Sequence, residues 1–397
     1  MYLFTSESVS AGHPDKCADI IADTIVDRLL QLDPDARVAT EVFISGKHIV
    51  IGGEVKSDTP LSNDFYRLCA IDALHGIGYP ESGFDESQTL YPETAEIEIL
   101  VAKQSPDITI GVDQESGELG AGDQGMMFGF ACDETDLLMP AAIYDARIIR
   151  DALYDYARMH PSRFGVDIKT QVSVDYGSKA GFDAGKAEGI SKIVAAIPHA
   201  ASEEIEAVRR EIGDLILSTL QDAQIPFDAR KLQLYIDGTG RYIHHSPLAD
   251  SGLTGRKVVC DTYGGYAPIG GGSQSSKDYT KVDRSGLYAA RWIAKHIVAA
   301  GIAPKALVEL AYVIGHAKPL HVTVDTFGHA KIGDEMLGRK IAEAFALTPR
   351  WITERFGLDQ PSQDRFLYAD IAARGQVGYE AYPWERLDAL EWFRELA

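Results

Sequence analysis

The residues best suited to chemistry lie between Asp250 and Ser285, in DSGLTGRKVVCDTYGGYAPIGGGSQSSKDYTKVDRS. Arg256, Lys257, Lys277, Lys281 and Arg284 surround the run Gly270-Gly271-Gly272, with Asp250, Asp261, Asp278 and Asp283 interspersed. Consecutive glycines let the main chain approach a ligand closely and offer free N–H groups, as in a phosphate-cradling nest. The cations supply countercharge for an anion, and aspartates can hold Mg²⁺ against phosphate oxygens. A long solvated loop is the plainer reading. The anchors Val258, Val259, Tyr263 and Tyr266 argue against disorder, and a loop of this length is usually functional. The spacing points to an Mg-dependent anion or nucleotide site.

A second group, Gly12-His13-Pro14-Asp15-Lys16, stands where a loop enters a helix. Pro14 and Asp15 suit a helix start, which alone explains them. A helix N-terminus bearing His, Asp and Lys is equally a phosphate and metal site. Glu41 and Glu54 fall inside strand-like apolar runs, where an inward carboxylate needs a partner and an outward one does not. Gly120-Ala121-Gly122-Asp123-Gln124-Gly125 matches G-x-G-x-x-G, but a turn-like ESGEL precedes it and the strand-like MMFGFA follows. That context excludes a dinucleotide fingerprint, and no G-x-x-x-x-G-K-S/T is present.

Composition sets the frame for these groups. A formal charge of −21 argues against nucleic acid or an anionic membrane surface as partner, and makes the basic cluster a local anion site. Cys17, Cys69, Cys132 and Cys260 form no CxxC, which fits a reducing, cytoplasmic setting. The first residues carry no basic stretch followed by an apolar core, and no run of about 18 apolar residues occurs, so neither a signal peptide nor a membrane span is expected.

The elements that must position these residues repeat three times. Helix-period stretches cover 15–32, 140–159 and 282–300. Each precedes two strand-like runs: 37–44 with 48–55, 167–175 with 191–197, and 307–314 with 320–325. Each pair is followed by a second helix, at 61–77, 202–223 and 334–345. The fold class expected is α/β (α+β), with three similar units, each a small sheet covered by helices on one face. Residues 1–103, 123–240 and 241–397 would form the domains. The glycine- and acid-rich 104–122 would be a mobile connector or lid.

GHPDK, KQSPDI, GAGDQGMMFG, the Asp167–Lys169 segment, DSGLTGRK, DTYGG, GGG and KVDRS run in this order over nearly the whole chain. Together they resemble S-adenosylmethionine synthetase (methionine adenosyltransferase). The resemblance implies three domains about a pseudo-threefold axis. It also implies a homodimer or dimer of dimers with shared active sites, two Mg²⁺ and one K⁺. The activity implied is transfer of the adenosyl group of ATP to the sulfur of L-methionine, followed by hydrolysis of the triphosphate to phosphate and pyrophosphate. By motif, His13 would contact the triphosphate near the breaking bond, and Asp15 and Asp283 would hold Mg²⁺. Lys169, Arg256, Lys257, Lys277 and Lys281 would line the phosphates. Asp167, Arg241, Tyr242, Asp250 and Ala267 would border the nucleotide or methionine. Glu54 and Gln104 would meet methionine, Asp123 the substrates, and Glu41 the K⁺. Pro268-Ile269, Ser273–Ser276 and Asp237-Gly238 depart from the commoner family pattern of Arg-His, Ala-Phe-Ser-Gly and Asn-Pro. The rival readings are another Mg-dependent ATP-using transferase and a catalytically inactive regulatory paralogue. The presence together of His13, Asp15, Lys169, Lys277, Lys281 and Asp283 speaks against the latter.

Overall fold

The computed structural model describes residues 1–104 and 119–397. Most of the expected connector or lid at 104–122 therefore lies outside the described residues.

Among the described residues the strands form three small sheets, ordered β1-β6-β7-β8, β4-β3-β2-β9 and β11-β10-β5. Their ranges are β1 Leu3–Val9, β2 Arg37–Ser45, β3 His48–Lys56, β4 Glu96–Lys103, β5 Gly125–Cys132 and β6 Lys169–Asp175. The rest are β7 Gly189–Ala196, β8 Gln233–Ile236, β9 Ser251–Leu253, β10 Lys305–Tyr312 and β11 His321–Asp325. All six expected strand runs are present. The expected helices appear as α1 Pro14–Leu32, α2 Asn63–Ile77, α3 Ala141–Met159, α4 Ile205–Asp222, α5 Val282–Ala299 and α6 Asp334–Ala344. Further helices follow near the end, among them α7 Pro349–Phe356 and α8 Tyr368–Arg374.

Each sheet also takes one strand from a distant part of the chain. β1 pairs antiparallel with β6, Leu3 opposite Asp175 and Val9 opposite Lys169. β9 adds to the edge of β2, and β5 adds to β10. These three strands were not assigned to those sheets from sequence, because hydrophobic alternation identifies a strand but not its neighbour. The strand character of MMFGFA is realised in β5.

Alternation decides which face each sheet buries. In β2, Val38, Val42 and Ile44 are buried, while Glu41 and Phe43 are exposed. Helix α1 packs on the buried face of this sheet and on α8, α3 covers β1 and β6, and α5 covers β5 and β10. α5 is buried on nearly every side, and its charged residues have partners there: Arg284 meets Asp23, and Arg291 and Lys295 meet Glu385. A buried helix with charged residues needs such pairing. No described helix is long and apolar enough to cross a membrane.

Candidate active site

The strand exchange brings the first group together. β1 ends at Val9 opposite Lys169, and the next residues turn into α1. Ser10 N–H donates to the Ile168 carbonyl at 2.9 Å, and its hydroxyl donates to the Val166 carbonyl at 2.5 Å. His13 then caps α1, its Nδ1 accepting the Asp15 N–H at 3.1 Å, with Pro14 in the first turn. Burial first, then the charges of Lys257 and Lys169, lower the His13 imidazole to about 2. The ring is therefore neutral at pH 7. With Nδ1 occupied as acceptor, Nε2 carries the proton and is the donor left for a ligand. The 3.9 Å separation of Nδ1 from Asp15 is accordingly not an ion pair.

Asp15 is buried, accepts the Leu253 N–H at 2.9 Å, and meets Lys257 Nζ at 2.5 Å and Arg256 Nε at 3.3 Å. The first glycine of DSGLTGRK, Gly252, is a close-approach position: a Cβ there would stand 2.0 Å from the Pro14 carbonyl oxygen, so only glycine lets β9 lie against the start of α1. Asp167 is buried, and its Oδ2 accepts the Tyr242 hydroxyl and the Ser246 N–H, each at 3.0 Å. Burial raises its carboxyl, with the charges of His245 and Lys169 opposing. Asp250 is exposed and acts on the same His13 ring through its charge. Arg241 is exposed and donates to the Ala201 carbonyl at 3.2 Å.

The second group sits on the outer face of the β4-β3-β2-β9 sheet. Ala39 stands opposite Glu54 on one side and bridges Lys277 on the other, and Glu41 is opposite Gly52. Directly opposed residues share a face, so Glu41, Glu54 and Lys277 all lie on the exposed side. Gln104 donates to Glu54 at 3.3 Å and is itself buried. Partial burial raises the Glu41 carboxyl, with Lys277 opposing. Lys277 Nζ meets Asp283 at 2.6 Å, at the start of α5. A Cβ on Gly272 would fall 2.2 Å from that carboxylate, so the triple glycine lies directly against Asp283. Lys281 caps α5 and pairs with Asp278, which also accepts the Val38 N–H at 2.6 Å. Gly122 N–H donates to the Thr280 carbonyl at 3.0 Å, which sets Asp123 beside this turn. Ala267 is buried in the loop between the groups.

The basic loop therefore leaves β2 at Thr254, opposite Val42, and returns at Ser276–Lys277, opposite Thr40 and Ala39. Among the described residues no group of three or more His, Cys, Asp or Glu side chains is disposed to hold a metal.

Comparison with known proteins bears on this arrangement. Family models described as the N-terminal, central and C-terminal domains of S-adenosylmethionine synthetase match residues 1–106, 118–242 and 244–386. The chain belongs to the S-adenosylmethionine synthetase family. It is 40% identical over 393 residues to S-adenosylmethionine synthase 2 of Rhodospirillum rubrum, covering 98% of this chain and 96% of that one. To S-adenosylmethionine synthase of a Sulfurovum strain it is 41% identical over 401 residues, covering 98% of this chain and 97% of that protein. A solved structure of an unusual S-adenosylmethionine synthetase from Campylobacter jejuni superposes with a TM-score of 0.94, at 53% identity and full coverage of both chains.

In this member of the S-adenosylmethionine synthetase family, several residues around the site escaped the sequence reading. Beyond Asp15, already singled out, Asp19, Asp23 and Asp27 follow at four-residue steps on α1, and all are buried. Asp19 accepts the Gly255 N–H at 2.8 Å, Asp23 the Ser276 N–H at 2.8 Å, and Asp27 those of Tyr368 and Ala369 at 2.8 and 2.9 Å. One stripe of α1 thus holds the outgoing and returning ends of the basic loop. The spacing was visible in the sequence, but the apolar residues beside it carried the helix signal. Arg284, Asp261 and Asp278, grouped with the ligand-facing charges from sequence, serve the frame instead. Arg284 is buried against Asp23, Asp261 pairs with buried Lys16 at 2.6 Å, and Asp278 holds Val38 and Lys281.

Proposed function

We propose that the protein is a methionine adenosyltransferase that joins ATP and L-methionine into S-adenosylmethionine and then cleaves the bound triphosphate to phosphate and pyrophosphate. The observation that carries this, beyond family membership, is the form of the ion pairs. Asp15 with Lys257 and Arg256, and Asp283 with Lys277, are pairs at the ligand-facing ends of two helices. An incoming triphosphate would draw the cations, and the released carboxylates would turn to metal.

Methionine sulfur has a lone pair and no proton to lose, so its attack on C5′ of ATP requires no general base. It requires orientation and stabilisation of the departing triphosphate charge. His13, neutral and donating from Nε2, would meet the oxygen that leaves. Lys169, Arg256, Lys257, Lys277 and Lys281 would hold the phosphate chain. Glu54 and Gln104 would receive methionine, with Asp123 beside both substrates. Asp167, Arg241, Tyr242, Asp250 and Ala267 would enclose the remainder.

Asp15 and Asp283 suit Mg²⁺, a cation commonly held by one or two carboxylates with phosphate oxygens and water completing its shell. When bound, Mg²⁺ would neutralise phosphate charge in both steps. Glu41 would serve K⁺. The exposed outer face of the β4-β3-β2-β9 sheet carries Phe43, Leu100 and Leu253 beside Glu41, Glu54 and Lys277. Covering this apolar face with a second copy would place one chain's second group near the other's first, giving shared sites in a homodimer or a dimer of dimers. The four free, buried thiols accord with the cytoplasm, and the net charge with small-molecule rather than nucleic-acid or membrane partners.

The test is incubation with ATP, methionine, Mg²⁺ and K⁺. A sulfonium product with phosphate and pyrophosphate is expected. ATP consumption with a different acceptor would instead make it another transferase, and absence of turnover would make it an inactive paralogue.

A further inference from the structure

His245 is fully buried between the loop carrying Tyr242 and the short helical turn that leads to Asp250. Both ring nitrogens meet oxygens: Nδ1 is 3.0 Å from the Ile243 carbonyl, and Nε2 is 3.0 Å from Oε1 of Glu81. An acceptor at each nitrogen calls for a proton on each, so the ring is an imidazolium. Glu81, also buried, accepts the Thr89 hydroxyl at 2.6 Å and the Val166 N–H at 2.9 Å. Burial disfavours charge on both partners, but their mutual hydrogen bond and attraction outweigh it. The imidazole is pushed up and the carboxyl held down. A pair this deep is costly to desolvate and is weak evidence of a stabilising role alone.

What the pair faces is Asp167. The residue after His245, Ser246, gives its N–H to Asp167 Oδ2 at 3.0 Å and adopts a φ of +68°, uncommon for a residue other than glycine. Neighbouring hydrogen bonds hold it there, with His245 N–H on the Gln88 carbonyl at 3.2 Å. Asp167 Oδ1 is buried and has no hydrogen-bond partner among the described residues. A buried carboxylate oxygen left without a donor is an exception that asks for a ligand or water. The other groups facing Asp167 do not replace the imidazolium. Lys169 is exposed, Tyr242 donates to the other oxygen, and Tyr79 and Cys17 are neutral acids held well above their usual range by burial.

We propose that the Glu81–His245 ion pair is a positioning device of the substrate site: its fixed charge and its hold on Ser246 keep Asp167 ionised, with Oδ1 presented to a hydrogen-bond donor of the bound substrate. This rests on the adenosyltransferase reading, in which Asp167 borders the substrates.

The test compares the wild type with the double variant Glu81→Gln/His245→Gln, which removes both charges while keeping groups able to hydrogen-bond. Sulfonium formation is followed from about pH 5 to 9, with kcat and KM separated. Without the imidazolium Asp167 takes up a proton more readily, so the acid limb of kcat/KM moves up by about one pH unit or more, through KM. A folded double variant with the wild-type profile overturns the proposal, since a merely structural pair would alter Tm and leave the profile unchanged. If the double variant does not fold, Asp167→Asn decides. Its kcat/KM falls about 10–100-fold if Oδ1 serves a substrate donor, and a wild-type value overturns the proposal. Wild-type protein forming no sulfonium at any pH would fail the adenosyltransferase reading, and this proposal with it.

Discussion

Lys277 and Lys281 are four residues apart on the same loop, yet their surroundings give them different mutational consequences. Lys277 pairs with Asp283 near the surface of the site. Lys277→Met should lower turnover roughly 10²–10³-fold, as for loss of one preorganised donor, with Tm little changed. Lys281 neutralises Asp278, a fully buried carboxylate. Lys281→Met should lower turnover similarly and also cost about 3 kcal/mol of stability, because it removes the ion-pair partner of that buried charge and leaves only Arg37 nearby to balance it. Turnover assays alongside chemical denaturation separate the two. The residue types and their loop were legible in the sequence. The division into ligand-facing and frame-building charges was not, because it depends on the partners met after folding: the Ser276 and Val38 N–H groups for Asp23 and Asp278, and the Lys16 ammonium for Asp261.

The helix α1 and the glycine run act as whole elements. The acid stripe of α1 has a pH signature through Asp27, whose carboxyl is pushed up to about 8, by burial first, with its two N–H donors opposing. In the unfolded chain an aspartate titrates at about 4. A raised folded value means that this group's stabilisation is complete below about pH 4 and is lost as pH rises through about 8. The Tm of the wild type should therefore fall relative to Asp27→Asn across that window, and parallel curves would contradict the assignment. For the glycine run, Gly272→Ala would thrust a methyl into the Asp283 carboxylate. Because that carboxylate ends a short side chain that can swing away, the expected result is a turnover loss of about tenfold or more with modest change in Tm. Helices and strands followed from periodicity in the sequence, while the stripe at 15, 19, 23 and 27 was obscured by the apolar positions between. Asp15, Asp19 and Asp23 receive their backbone donors only when β9 and the loop return to the edge of β2, and Asp27 only when α8 packs on α1.

At the scale of the molecule, the two residue groups lie on different surfaces of one chain: one at the start of α1, the other on the open face of the β4-β3-β2-β9 sheet. The shared-site proposal makes a direct prediction. His13→Asn and Asp123→Asn, each inactive, are unfolded together and refolded as a mixture. If the two residues serve one site from opposite chains, each mixed dimer has one site with both lesions and one with none, so activity returns. No recovery, with mixed dimers confirmed by mass, would place both residues in one chain's contribution. The α/β class and the three small sheets were legible from the threefold order of helices and strands. The exchange of β1, β5 and β9 was not, since each pairs with a strand more than a hundred residues away.

That exchange also dictates the order in which the protein can be completed during synthesis. When the first hundred residues have left the ribosome, β1 has no neighbour and β2 keeps one open edge, because β6 and β9 have not been made. His13 and Asp15 emerge among the first residues, yet they reach their final surroundings only after Lys169 and Lys257 follow. The nascent chain must therefore carry unpaired strand edges through most of its translation, the condition that invites mispairing and chaperone binding. A ribosome stalled after about residue 240 would hold a chain in which β2 still lacks β9, and limited proteolysis of such stalled chains should cut the α1 region that the finished protein protects.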